Sequence, residues 1–256
     1  EAVRRGEIKA IWIACTNPAQ SLPNQHLVHD ALQAAECVVV QEAFADTETV
    51  AFADVLLPAA SWGEQDGTMT NSERCISRVH AAVPPPGEAH ADWAIVTAFA
   101  RRLIPGEGAR LFPYDSAEAV FNEHRETTRG RDLDITGLDY AVLESAGPQQ
   151  WPFPAGMAVA DAARRTRLYG DGRFPTATGR ARFVVPTGAS TAEQADAEYP
   201  IALTTGRLRD QWHGMSRTGN VAQLYSHVDE ARIELHPADL RMFEVASGEL
   251  VKVSSR

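Results

Sequence analysis

A chain of 256 residues, 44% apolar and 23% charged, has the length of one large domain or two ordinary ones, and its composition excludes collagen-like, low-complexity and disordered classes. Twenty-four basic against 34 acidic residues leave a net charge of −10, which argues against a nucleic-acid surface. A local phosphate site needs only backbone donors and one or two arginines, so that class stays open.

The opening EAVRRGEIKA holds neither an initiator Met nor an apolar signal core, and the closing LVKVSSR is a strand pattern. A piece of a longer protein is therefore expected. No stretch approaches the length of an apolar membrane span, so no membrane-crossing segment is expected. Cys15, Cys37 and Cys75 form no C-x-x-C pair, which excludes a zinc or iron–sulfur signature in this stretch and suits a reducing cytoplasm.

In chain order, residues 1–104 alternate strand and helix patterns. IKAIWIACT is an apolar run, NPAQSLPN a loop in which Pro18 and Pro23 block helix, and HLVHDALQAAE a helix with Leu27, Val28, Ala31, Leu32 and Ala35 on one stripe. CVVVQE and ADVLLPA are short apolar runs of the kind buried on both faces of a parallel sheet. Strand, helix and strand in this length predict a βαβ unit of an α/β, Rossmann-like parallel sheet. In ADVLLPAASWGEQDGTMTNSER, Gly63 and Gly67 imply turns, and Asn71, Glu73 and Arg74 a polar network holding the loop. DWAIVTAFARRL predicts a helix with Asp92 as N-cap and Ile95, Val96, Phe99, Ala100 and Leu103 on its buried face.

Residues 105–195 are a less regular crossing segment. DSAEAVFNEHRE predicts a helix with a capping box from Asp115 to Glu118, DYAVLESAG a helix stopped at Gly147, and RLYGDGRFPTATGRARF a hairpin-rich stretch. Residues 196–256 carry strand patterns in PIALTT, ARIEL and LVKV, with a short helix in HPADLRMFEV; they predict the first half of a β-barrel.

Several segments offer chemistry, each with a bland alternative. In TTGRLRDQWHG, Gly206 permits close backbone approach, Thr205 and Arg207 suit phosphate or a polar heterocycle, and Trp212 and His213 add a flat surface and a titratable donor; the alternative is a turn with a solvated Arg. Asn17 stands at the carboxyl end of the first strand, where ligands of parallel sheets collect, or simply makes an Asx-turn. Gln41 and Glu42 end the second strand, where a carboxylate can hold ribose hydroxyls or merely meet solvent; no G-x-G-x-x-G supports an ordinary NAD site. No G-x-S-x-G supports a serine nucleophile; of the eight histidines, His26 and His29 share a helical face, but no carboxylate partner is placed to complete a metal site.

IWIACTNPAQSLPN, VVVQEAFADTETVAFADVLLPAASWGEQDGTMTNSERCISR, PPPGEAHADWAIV and LTTGRLRDQWHGMSRTG occur in one order over nearly the whole chain. Together they resemble the molybdopterin oxidoreductases of the dimethyl-sulfoxide-reductase superfamily, and within it the bacterial assimilatory nitrate reductases. The resemblance implies an α/β dinucleotide-binding domain (1–104), a crossing segment (105–195) and the start of a double-psi-like barrel (196–256). It implies molybdenum-bis(molybdopterin guanine dinucleotide) as cofactor, with a [4Fe–4S] cluster and the metal ligand in an upstream region. Nitrate is the implied substrate, and ferredoxin, flavodoxin or an NADH-dependent reductase component the implied electron donor.

By resemblance, Asn17, Gln41 and Glu42 contact the cofactor, and Asp92 contacts its guanine. Gln65 stands where relatives have a contacting Lys, and Cys75 where they commonly have Arg. Thr205, Gly206, Arg207, Leu208, Arg209, Asp210, Gln211, Trp212, His213 and Gly214 are the segment expected to lie along a pterin. Neither catalytic nor metal-ligating residues are expected in this chain, and alone it is not expected to turn over. Formate dehydrogenase chemistry and a non-catalytic nucleotide-binding or assembly module are the competing readings.

Overall fold

Three apolar runs align side by side in the computed structural model, which describes residues 1–256 apart from 163–166, 189, 190, 192, 229 and 256, and the side chains of 161 and 162. Strands β1 (Ala10–Ala14), β2 (Cys37–Glu42) and β3 (Val55–Pro58) form one parallel sheet in the order β1-β2-β3. Val38 and Val40 of β2 are almost fully buried, as expected for a central β-branched strand. The link from β1 begins with a helical turn, α1 (Pro18–Ser21), where a loop was expected; Pro18 occupies the first turn, the one helical place where its missing N–H costs nothing. Helix α2 (Gln25–Ala34) follows, its start capped by the Asn24 side chain accepting from Leu27 N–H. It packs Leu32, with Val28 beside it, onto Ile13, Val38 and Val40.

After β3 the chain makes an excursion and returns. Ser61 and Glu64 close a reciprocal capping box around a tight turn. Hairpin β4 (Gly67–Thr70) and β5 (Cys75–Val79) then builds an antiparallel sheet, so Gly67 opens a strand rather than a turn. Asn71 holds the hairpin turn, its Oδ1 accepting from Glu73 N–H and Cys75 N–H at 2.9 Å each. The return is locked by a parallel bridge between Ala59 and His90, with Ala60 N–H donating to His90 and His90 N–H to Pro58.

Helix α3 (Asp92–Leu103) starts two residues later. Its N-cap is Ala91, so Asp92 is the first helical residue and does not cap. Thr97 and Ala100 are buried, whereas Val96, Phe99 and Leu103 of the expected face are exposed. Phe99 meets the sheet at Trp12, edge to face, 4.8 Å between ring centres. Gly108 opens another turn, α4 (Gly108–Leu111), and a Cβ there would lie 2.6 Å from the Arg101 backbone.

The rest of this unit closes over the hairpin. Helix α5 (Ala117–Thr127) is capped by Ser116 accepting from Ala119 N–H; the expected Asp115 box falls one residue short. Helix α6 (Tyr140–Ala146) is capped by Asp139 and ends at Gly147, and β6 (Gln149–Gln150) pairs with β5. Ile76, Phe121, Ile135, Leu138, Leu143 and Phe153 form this second core. A short helix, α7 (Val159–Ala162), follows. In the stretch 167–182 the described residues form turns rather than paired hairpin strands.

Contacts divide the chain into Glu1–Phe183 and Val184–Arg256. The first unit is thus mixed α/β, with one parallel and one antiparallel sheet. In the second, helix α8 (Pro237–Met242), with His236 accepting from Ala238 N–H, fills the place expected of HPADLRMFEV. PIALTT, ARIEL and LVKV have no strand ladder among the described residues. A strand is defined by its hydrogen-bonded neighbour, and these segments have none there; Leu203, Ile233 and Leu250 stand exposed.

Candidate functional site

The parallel sheet directs its carboxyl ends, Ala14, Glu42 and Pro58, toward one edge, and the Ala59–His90 bridge delivers the first turn of α3 to that edge. There Gln41 and Asp92, 51 positions apart, meet: Gln41 Nε2 donates to Asp92 Oδ1 at 2.6 Å. The Cys15 thiol lies 3.6 Å from the same oxygen. Gln41 is only 1% exposed and its Oε1 has no hydrogen-bond partner among the described residues. Asp92 is half-buried, and among the described residues no donor reaches its Oδ2. Glu42 is also buried, one carboxylate oxygen accepting from the Ala43 N–H at 2.8 Å.

Asn17 stands at the same edge with its side chain committed. Its Oδ1 accepts from Thr49 N–H at 3.1 Å and from the Thr49 hydroxyl at 2.6 Å, while Nδ2 donates to Glu48 at 2.6 Å. The carboxamide therefore fastens the end of β1 to the loop after β2, instead of turning its own chain. Thr49 and Glu48 have no sequence signal of this role; the pairing spans more than thirty residues.

Gln65 leaves the capping-box turn half-buried, its amide donating to Ala60 O at 3.4 Å. It lines a cavity of about 380 Å³ with Glu64, Arg78, Trp93, Glu118 and Tyr140. Arg78 lies 3.6 Å from the centre of the Tyr140 ring, donates to Glu144 at 2.9 Å and to Gly67 O at 2.7 Å. That guanidinium holds the Glu144 carboxyl below its ordinary value, and burial pushes the Tyr140 phenol up. In CISRVH, Arg78 gives no hint of this; only the fold brings α6 across β5.

In the second unit, Thr205 and Gly206 are exposed and lie outside any helix or strand. Trp212 and His213 stack, 4.8 Å between ring centres and 11° from parallel, and Trp212 is 58% exposed. Arg207 sits 5.7 Å from the Trp212 ring centre. Asp210 is flanked by Arg209 at 3.5 Å and His227 at 2.5 Å, tying the segment to a later loop. Gln211 is 8% exposed and both its amide atoms lack partners among the described residues. Gly214 follows His213, whose backbone is left-handed. The segment is an exposed two-ring platform with a cation at one face and a buried, unsatisfied amide beside it. Among the described residues no three His, Cys, Asp or Glu side chains gather to hold a metal ion, and no helix is long and apolar enough to cross a membrane.

Comparison with known proteins identifies both halves. The molybdopterin oxidoreductase family pattern matches residues 1–102, and the molydopterin dinucleotide binding domain matches residues 201–256. The chain is 40% identical to a nitrate reductase of Klebsiella oxytoca, over 99% of this chain and 29% of that protein. It is 36% identical to the assimilatory nitrate reductase catalytic subunit of Bacillus subtilis, over 100% of this chain and 35% of that protein. It is also 36% identical to a formate dehydrogenase subunit alpha of Methanocaldococcus jannaschii, over 97% of this chain and 35% of that protein. The chain spans about a third of the length of the curated relatives it matches. Two family patterns in order, with alignments running from end to end, make this chain a member of the molybdopterin oxidoreductase family.

Proposed function

We propose that this chain supplies part of the cradle for molybdenum-bis(molybdopterin guanine dinucleotide) in an enzyme that reduces nitrate to nitrite. The observation that carries the reading is the Asp92 carboxylate, held at the sheet's carboxyl edge with one oxygen unengaged. A guanine presents N1–H and N2–H₂ donors on one edge, and a carboxylate oxygen, with two lone pairs, can accept from both. The residues present fit the group. Asp92 offers acceptors to the base, and the Trp212–His213 stack with Arg207 offers a flat face and a cation to a pterin. Gln211 brings an unsatisfied amide of the kind that reads a heterocycle's edge.

In each unit further residues serve the proposed cofactor less directly. Asn17 acts through the loop it fastens, since its carboxamide is already used. Glu42 stays near the nucleotide end, and Gln65 reaches only as a neutral amide where relatives have a Lys. Thr205, Gly206, Leu208, Arg209, Asp210 and Gly214 complete the pterin-facing segment, which we read as the opening of a double-psi-like barrel; the match of residues 201–256 to the dinucleotide binding domain supports that.

When bound, the cofactor supplies the two-electron redox chemistry; this chain's residues bind and orient it. A [4Fe–4S] cluster elsewhere in the full-length protein would pass electrons from ferredoxin, flavodoxin or an NADH-dependent reductase component. Cysteines this sparse, with no C-x-x-C pair, support a cytoplasmic setting.

The test is the full-length protein. Molybdenum and acid-released guanine nucleotide should co-purify with it, and a reduced dye should drive nitrate consumption. Arg207→Ala should lower cofactor content or nitrate turnover; no change in either removes Arg207 from the site. The formate dehydrogenase relative marks the second reading, and formate oxidation without nitrate reduction would establish it. Absence of molybdenum and guanine together would leave a non-catalytic module.

A further inference from the structure

Gln41 ends a buried strand, yet it carries a polar amide at 1% exposure with only one of its two polar atoms satisfied. Burying an amide this way is unfavourable unless the satisfied half does something specific. That half is Nε2, which donates to Asp92 Oδ1 at 2.6 Å. The opposite amide orientation would set Oε1 against the carboxylate, so the neighbour dictates which end faces it. Gln41 is too deeply enclosed to touch a nucleotide itself. What it controls is the rotation of Asp92: with Oδ1 engaged by the amide, and by the Cys15 thiol at 3.6 Å, Oδ2 is the oxygen left for a ligand.

We propose that Gln41 is a positioning residue for guanine selectivity, fixing the Asp92 carboxylate so that its free oxygen meets the base's N1–H and N2–H₂ edge. This rests on the reading of Asp92 as the guanine contact. It changes the part first assigned to Gln41, from a direct contact with the nucleotide to a support beneath the residue that makes it. A carboxylate free to rotate would accept from either donor less well, and most of the loss would fall on the second, geometrically demanding bond.

The experiment compares GDP with IDP, which lacks the exocyclic amine, in equilibrium binding to cofactor-free full-length protein. The unaltered protein should prefer GDP by at least about tenfold, because a site built for a donor rejects an analogue without it. Asp92→Asn should abolish the preference. Gln41→Leu should reduce it to less than about threefold while leaving IDP binding within about twofold, since IDP never used the second bond. Leu matches the volume and removes the orphaned Oε1, and Gln41→Met is the parallel variant should Leu disturb β2. If Asp92→Asn abolishes the preference and both Gln41 variants keep it whole, the inference fails and the reading of Asp92 stands. If Asp92→Asn keeps the preference, or the unaltered protein shows none, the reading of Asp92 fails and takes the inference with it.

Discussion

Replacing Asn17 with Ala removes one acceptor that serves two buried donors, the Thr49 N–H at 3.1 Å and the Thr49 hydroxyl at 2.6 Å. Thr49 is fully buried, and its own hydroxyl oxygen accepts from Ala19 N–H at 3.1 Å, so the loss reaches both ends of the β1–α1 junction. An unsatisfied buried donor costs about 1–3 kcal/mol. Asn17 is half-buried, so water can replace it at one of the two donors, and the net loss should be about 2–3 kcal/mol. For a folding unit of this size that corresponds to a fall in Tm of roughly 5–10 °C. Asn17→Asp keeps the acceptor but faces the Glu48 carboxylate, now without its 2.6 Å donor, and should fall between the two. Thermal unfolding of Asn17→Ala, Thr49→Val and the double variant reads the coupling directly, expected near 1 kcal/mol. A fall below 2 °C for Asn17→Ala, or strict additivity of the pair, refutes the claim that this side chain fastens the sheet edge.

Three further outcomes are expected. Leu138→Ala, at the fully buried centre of the second core, should cost about 2–5 kcal/mol in urea unfolding. Gly108→Ala places a methyl 2.6 Å from the Arg101 Cα and carbonyl oxygen, so α3 and α4 must part; a loss of about 1–3 kcal/mol is expected, and none would mean that the junction yields freely. Glu144 lies below its ordinary value of 4.5 because of Arg78, and Asp134 below 3.8 because of the Thr136 hydroxyl and the Gly130 and Thr136 amides. Depressed carboxyls stabilise the fold above their ordinary values and lose that contribution as pH falls through the lower folded ones. Tm should therefore decline below about pH 4.5, with Asp134→Asn flattening the most acidic part of the curve; an unchanged slope in that variant contradicts it.

Local chemistry made the parallel strands legible. CVVVQE became β2 residue for residue, because a β-branched apolar run has few other homes. Helix positions were legible, but their caps and faces less so. Asp92 and Asp115 each sit one position from the true cap: Ser116 caps as readily as Asp115, whereas Ala91 has no capping side chain to announce it. On α3 the periodicity marked Val96, Phe99 and Leu103, while Thr97 and Ala100 are the residues that are buried; a stripe says that a helix has an apolar side, not which partner comes nearest. The strand patterns of the second unit could not specify ladders, since pairing is a property of two segments. The link between Gln41 and Asp92 lay beyond any local rule, because it exists only once the excursion from Ser61 to Ala89 has closed.

That closure has its own consequence. The excursion from Ser61 to Ala89 leaves and rejoins the sheet through neighbouring hydrogen-bonded residues, like a detour with a single gate. Lengthening a loop inside it adds little entropy cost, because closure cost grows only with the logarithm of length. The hairpin and its cavity are thus free to diverge or accept inserted sequence, while the gate keeps the first turn of α3 beside the end of β3. A fold wired this way can remodel the excursion without resetting the edge where Gln41 meets Asp92.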